Sequence, residues 1–143
     1  MQPITPDELR EDFREISDWD ERLEYIIEFG DELPEMPAEY RIEANRVQGC
    51  VSNVWLVAKP LPNEAASEGK VLEFEADSDA VITRGLIAMI VALLSGKTPQ
   101  QILDIDIDGL FAELNLQSHL TKSRSNGLQS MVRRVRELAT AML

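Results

Sequence analysis

A second cysteine is missing. Cys50 is the only thiol in 143 residues, so one chain cannot build a disulfide, a Cys-x-x-Cys redox pair or a four-cysteine zinc or iron–sulfur site. Histidine is as scarce: His119 stands alone, and no carboxylate has metal-ligand spacing with it. No apolar run approaches the roughly 20 residues that cross a bilayer, which argues against a membrane role. The opening Met1-Gln2-Pro3-Ile4-Thr5-Pro6 lacks the basic and apolar regions of an export signal. A lone cysteine without such a signal gives the expectation of a reducing cytoplasm. Positive charge is short too. A net charge of −12 argues against nucleic acid, whose phosphates would be repelled.

What is present suits one domain over residues 1–143, with 44% apolar residues to fill a core. The charge is uneven. Residues 1–40 hold 14 acidic and 3 basic side chains, while residues 41–143 hold 12 and 11. The stretch from Lys122 onward is basic, with Arg124, Arg133, Arg134 and Arg136 against Glu137. The plain reading is a solvated acidic face. The sharper one is a polar molecule that orients itself on a protein partner.

Thr5-Pro6-Asp7-Glu8 predicts a capped first helix, with Leu9, Phe13 and Ile16 on one face. Asp18 predicts the cap of a second, carrying Trp19, Leu23, Ile26 and Ile27 inward and ending near Gly30. Pro34 and Pro37 predict a loop. Three strands are then expected: a short one at 45–48, a better one at 52–59 and an alternating one at 71–76, with a long hairpin loop over 60–70. Asp77-Ser78-Asp79 is expected to cap a central helix over 80–94, apolar on nearly all sides. Thr98-Pro99-Gln100-Gln101 starts a short helix, 104–108 is a turn, 110–114 is another short helix, and Ser123 is expected to cap the last, with Leu128, Met131, Val132, Val135 and Leu138 inward. The predicted fold is α+β: a small three-stranded antiparallel sheet flanked by several helices.

Cys50 follows Gly49, in the turn between the first two expected strands. A tight glycine turn can expose sulfur and free backbone N–H groups for negative charge. Only the thiolate is nucleophilic, and at the reference pKa of about 8.5 it is a minority near neutrality. Arg46, Arg84 and Arg124 are the candidate helpers. The alternative is an inert buried thiol, because free cysteine is among the most buried residue types. A thiol hydrolase would need His119 as its base, and nothing in the spacing supports that pair. Asp104-Ile105-Asp106-Ile107-Asp108-Gly109 is like the start of a calcium loop, but Asn115 stands where the closing glutamate belongs.

Gly49-Cys50-Val51-Ser52-Asn53-Val54-Trp55 resembles the G-C-x-S-x-V-W signature of the SufE/CsdE family of sulfur acceptors. Three further segments match in order. They are Trp19 to Leu33, Asp77-Ser78-Asp79-Ala80 with Arg84-Gly85-Leu86, and Leu120-Thr121-Lys122-Ser123-Arg124-Ser125-Asn126-Gly127. The resemblance implies the fold shared with iron–sulfur scaffold proteins, and Cys50 as acceptor of persulfide sulfur from a cysteine desulfurase. That partner carries the pyridoxal phosphate; this chain is expected to need no cofactor or metal. Iron–sulfur scaffold proteins are the expected recipients, and the chain itself a monomer or weak homodimer. Gly49, Ser52, Asp79 and Arg124 match family positions tied to the cysteine loop or the partner interface. Many members carry glutamine where this chain has Val51 and Asn53. The rival reading is a regulator that activates a desulfurase by binding alone. A scaffold role is excluded, because a cluster takes about three or four thiolate or imidazole ligands.

Overall fold

The computed structural model describes residues 1–65 and 69–143. Thr5 and Glu8 close a capping box at the start of α1 (Pro6–Glu15), and Asp18 caps α2 (Trp19–Asp31). The strands are β1 (Val54–Pro62) and β2 (Lys70–Ser78). Five helices follow: α3 (Val81–Leu94), α4 (Pro99–Asp104), α5 (Ile107–Glu113), α6 (Leu116–His119) and α7 (Lys122–Ala141).

The sheet has two strands, not the expected three. β1 and β2 pair antiparallel from Val54 with Ser78 to Pro62 with Lys70. The segment at 45–48 contributes one bridge, Arg46 to Trp55, with the Val47 amide donating to the Val54 carbonyl at 2.8 Å. A 3-10 turn at Glu43–Asn45 precedes that bridge, and the positive φ of Gly49 (93°) ends it, so the chain is extended for too few residues to form a ladder.

β1 also runs through Pro60 and Pro62, beyond the expected strand end at residue 59. Residues of this register point their backbones alternately toward and away from the partner strand. Val54 directs its carbonyl away from β2 to Val47, which puts the nitrogens of Pro60 and Pro62, in phase with it, on the outer edge. No ladder hydrogen bond is lost there, the situation in which an edge strand tolerates proline. The loop expected over 60–70 shortens accordingly, and its residues 66–68 lie outside the described residues.

α3 is the centre: every residue from Gly85 to Leu94 is buried. It packs on β2 and α7 and lies against α2 in the most extensive helix–helix contact of the fold. A Cβ on Gly30 would stand 3.0 Å from the Gly85 nitrogen, and one on Gly85 would run into the Ile26 carbonyl. Gly30 therefore serves packing rather than helix termination; α2 continues past it to Asp31. α7 is capped by Thr121, not Ser123, and buries Leu128, Met131, Val132 and Val135. Asp106 caps α5 by accepting from the Gly109 amide at 2.9 Å while Ile107 is buried, which accounts for the Asp-Ile-Asp-Ile-Asp-Gly run without calcium. Among the described residues, no helix is long and apolar enough to cross a membrane.

Candidate functional site

Gly49 turns the chain so that Cys50 lies on α7. At φ 93° a side chain is strained, and a Cβ there would collide with the Ser130 hydroxyl. One helical turn earlier on α7, Gly127 receives the sulfur: the Cys50 thiol donates to the Gly127 carbonyl at 3.5 Å, and a Cβ on Gly127 would lie 3.5 Å from Sγ. Cys50 is half-buried and packs against the core, while its neighbour Val51 is 85% exposed.

The far side of the turn is tied to the β2–α3 junction. Asp79 accepts from the Asn53 backbone amide at 3.1 Å and from its side-chain amide at 2.9 Å. The Asp79 amide donates back to the Asn53 carbonyl at 3.3 Å.

A cavity of about 20 Å³ opens beside the thiol, lined by Ser52, Thr83, Ser123, Arg124, Gly127 and Met131 with Cys50 and Val51. That is room for about one water-sized sphere. Arg124 is exposed at its rim, in the first turn of α7. Thr83 is buried in the first turn of α3.

Burial pushes the Cys50 thiol up from its ordinary pKa, and the Arg46 guanidinium pulls it partly back. Burial is the larger effect, so the resting thiol is mostly protonated near neutrality. Arg46 is held by two hydrogen bonds to Glu43, at 2.9 and 3.1 Å. Arg84, the third candidate helper, is engaged elsewhere. It pairs with Asp77 at 3.5 Å and donates to the Leu33 carbonyl at 3.3 Å. Asp77 is 5% exposed and also holds Arg41 at 2.9 Å.

The segment 77–79 consequently does not cap α3 in the expected way. Asp77 anchors two arginines, Asp79 anchors the cysteine turn, and the residue at the cap position is Ala80, with no side-chain cap. Sequence reasoning assigns no role to Thr83, Gly127 or Ser130. Gly127 is nonetheless visible as the last residue of the Leu120–Gly127 segment, and Thr83 as a hydroxyl beside Arg84 at the start of a helix whose remainder is apolar.

Cys50 and His119 are not brought together. His119 stacks on Trp19 with ring centres 3.7 Å apart and planes 13° from parallel, and its Nδ1 lies 3.2 Å from the Asn115 carbonyl. It takes no part in the lining of the Cys50 cavity. Among the described residues, no group of three His, Cys, Asp or Glu side chains is placed to hold a metal ion.

Known proteins resemble this chain in sequence and in structure. The model of the family described as SufE, the Fe-S metabolism associated domain, matches residues 7–139. An uncharacterized SufE-like protein of Rhizobium meliloti is 42% identical over 137 residues, 96% of each chain. Another, of Rhizobium etli, is 43% identical over 133 residues, 93% of this chain and 88% of its own. In structure, a hypothetical protein from Thermus thermophilus superposes with a TM-score of 0.75, covering 99% of this chain and 98% of its own. At 19% identity that likeness speaks for the fold alone.

Proposed function

The chain belongs to the SufE family of Fe-S metabolism associated proteins, and from that premise we propose that Cys50 accepts sulfur from a cysteine desulfurase and carries it to iron–sulfur assembly. The observation that carries this reading is the sole thiol of the chain on a glycine turn, beside a cavity of one-atom size. The Cys50 thiolate attacks the outer sulfur of the desulfurase persulfide. An S–S bond forms at Cys50, the partner's S–S bond breaks, and the partner leaves as a thiolate. One sulfur atom moves with no net oxidation or reduction, as in thiol–disulfide exchange. The second transfer repeats the step toward the recipient.

The environment fits a guarded carrier. A persulfide open to solvent is lost to free thiols or to oxidation, and half-burial on α7 limits both. Release requires the turn to leave α7, and little holds it: one long thiol contact and the Asn53–Asp79 hydrogen bonds. Val51 and Val81, 85% and 65% exposed, are each two residues from that Asn53–Asp79 tie and offer apolar surface to a docking partner. Once the turn has swung out, the burial that raises the thiol pKa is relieved, so docking itself favours the thiolate.

The test is intact-mass analysis after incubation with a cysteine desulfurase and cysteine. The expected product carries one or more added sulfur atoms localised to Cys50. An unchanged mass under turnover removes the carrier role. One observation favours the second reading, a regulator that activates by binding alone: the resting thiol is half-buried and mostly protonated. Cys50→Ser separates the two. Full stimulation of sulfide release by that variant would establish the regulator.

A further inference from the structure

We propose that the Thr83 hydroxyl is the donor that holds the outer sulfur of a Cys50 persulfide, seated as an anion in the cavity between α3 and α7. The inference rests on the reading of Cys50 as a sulfur carrier, and it adds the group that receives the cargo atom.

The first observation is an idle hydroxyl. Thr83 is the third residue of α3 and is 6% exposed. Buried hydroxyls are normally bonded, because an unpaired one has given up water for nothing. The other four threonines follow that rule: Thr5, Thr98 and Thr121 accept from amides at helix starts, and Thr140 donates to the Arg136 carbonyl. The Thr83 hydroxyl has no hydrogen bond among the described residues. The residue lines the cavity beside the Cys50 thiol. The cavity's other two hydroxyls, on Ser52 and Ser123, are half-buried and exposed, so water can serve them.

The second observation is size. A sulfur bonded to Cys50 Sγ stands about 2.05 Å from it, and the cavity of about 20 Å³ has room for about one such atom. An atom placed there lies against both Cys50 and Thr83.

The third is charge. An ionised persulfide carries its negative charge on the outer sulfur. The cavity lining includes Arg124 and no carboxylate. Thr83 comes from the first turn of α3, and Ser123 and Arg124 come from the first turn of α7, so the positive ends of two helix dipoles meet at the cavity. On α3 no side chain caps that end. The other charged groups about the thiol are Arg46, ahead of the turn, and Asp79, whose carboxylate is engaged by Asn53. Thiol and persulfide therefore use different partners. The thiol donates to the Gly127 carbonyl, and the persulfide anion accepts from Thr83.

The experiment titrates the Cys50 persulfide of the full chain by its near-ultraviolet absorbance. Inorganic polysulfide loads the chain at alkaline pH. The Cys50 thiolate attacks a polysulfide sulfur, an S–S bond forms at Cys50, and a polysulfide S–S bond breaks to leave a polysulfide one sulfur shorter. Thr83→Val removes the donor and keeps the shape, so its persulfide should ionise about one pH unit higher than that of the wild type. Thr83→Ser restores a hydroxyl and should recover most of that shift. In urea unfolding of the unloaded chain, Thr83→Val should match the wild type or exceed it, because the hydroxyl it removes has no bond to lose. The proposal is overturned if the wild type and Thr83→Val titrate alike, if Thr83→Ser titrates with Thr83→Val, if Thr83→Val destabilises the unloaded chain, or if polysulfide fails to load Cys50. No desulfurase enters the titration. A Thr83-dependent shift in a chain that gains no sulfur from a desulfurase would therefore remove the carrier reading and leave the anion seat standing.

Discussion

Between α2 and α3, Gly30 and Gly85 let two helices touch backbone to backbone. Between the cysteine turn and α7, Gly49 and Gly127 bring a loop onto a helix through side chains, Ser130 against Gly49 and Cys50 against Gly127. What surrounds the two junctions differs. The helix pair lies in a continuous apolar core, with Ile26, Phe29, Leu86 and Ile87 buried on either side. The turn has exposed Gln48, Gly49, Val51 and Asn53 around a half-buried sulfur. Close approach alone therefore does not make a permanent contact. Apolar burial at about 25 cal/mol per Å² does, and the turn has little of it. One glycine pair sits inside the apolar core, and the other seats a lightly buried turn.

Substitutions can press on each junction in turn. Gly85→Val forces two methyl groups toward the Ile26 carbonyl, where there is no space. A loss of about 3 kcal/mol is expected in urea unfolding, the upper range for overpacking. Stability within about 1 kcal/mol of the wild type would mean that the helix pair yields and the contrast fails.

Asp77→Ala leaves Arg41 and Arg84 without their shared carboxylate. Removing one partner of a buried ion pair costs about 3–5 kcal/mol, but both arginines are about a third exposed, so about 2 kcal/mol is expected. This loss should appear in unfolding and leave the reactivity of Cys50 unchanged.

Asp79→Ala acts on the seat instead. It should cost only about 1 kcal/mol, the worth of a surface hydrogen-bonded pair. It should also speed alkylation of Cys50 and hydrogen exchange at residues 49–53. A double-mutant cycle with Asn53→Ala should show the two residues coupled; additivity would dissociate Asp79 from the turn.

The smallest effect should come from Arg46→Gln. Its charge lowers the thiol pKa against the larger effect of burial, so its loss should move the pH profile of Cys50 alkylation further upward and slow the reaction near neutrality. Because burial raises the folded-state value above that of the unfolded chain, the thiol's contribution to stability is complete below the unfolded pKa and is lost as pH rises through the folded one. That alkaline loss should be absent from Cys50→Ala.

The helix starts are readable where they rest on local chemistry. Thr5 with Glu8 and Asp18 cap as their spacing predicts, and Thr98-Pro99-Gln100-Gln101 opens α4 where a short helix is expected, through a capping box of Thr98 and Gln101. The apolar run of α3 marks the centre of the fold for the same reason: burial on every side leaves no polar face. The expected third strand fails because residues 45–48 lack the length to pair once a 3-10 turn and Gly49 have claimed the flanks. The Asp77–Asp79 segment looks like a cap in sequence, but its true partners, Arg41, Arg84 and Asn53, are set by tertiary contact. At the site, the turn and its cysteine are visible locally. Its seat on Gly127 and Ser130 is not, because the intervening chain separates them from Cys50 by 77 residues or more.

The thiol contact to Gly127 has a consequence of its own. Sulfur holds that carbonyl only by offering it a hydrogen, and nothing else on the side chain can take over. Once the hydrogen is gone through ionisation, the electron pairs of sulfur and oxygen face each other across the same gap. Deprotonation of that sulfur thereby also loosens the turn's contact with α7.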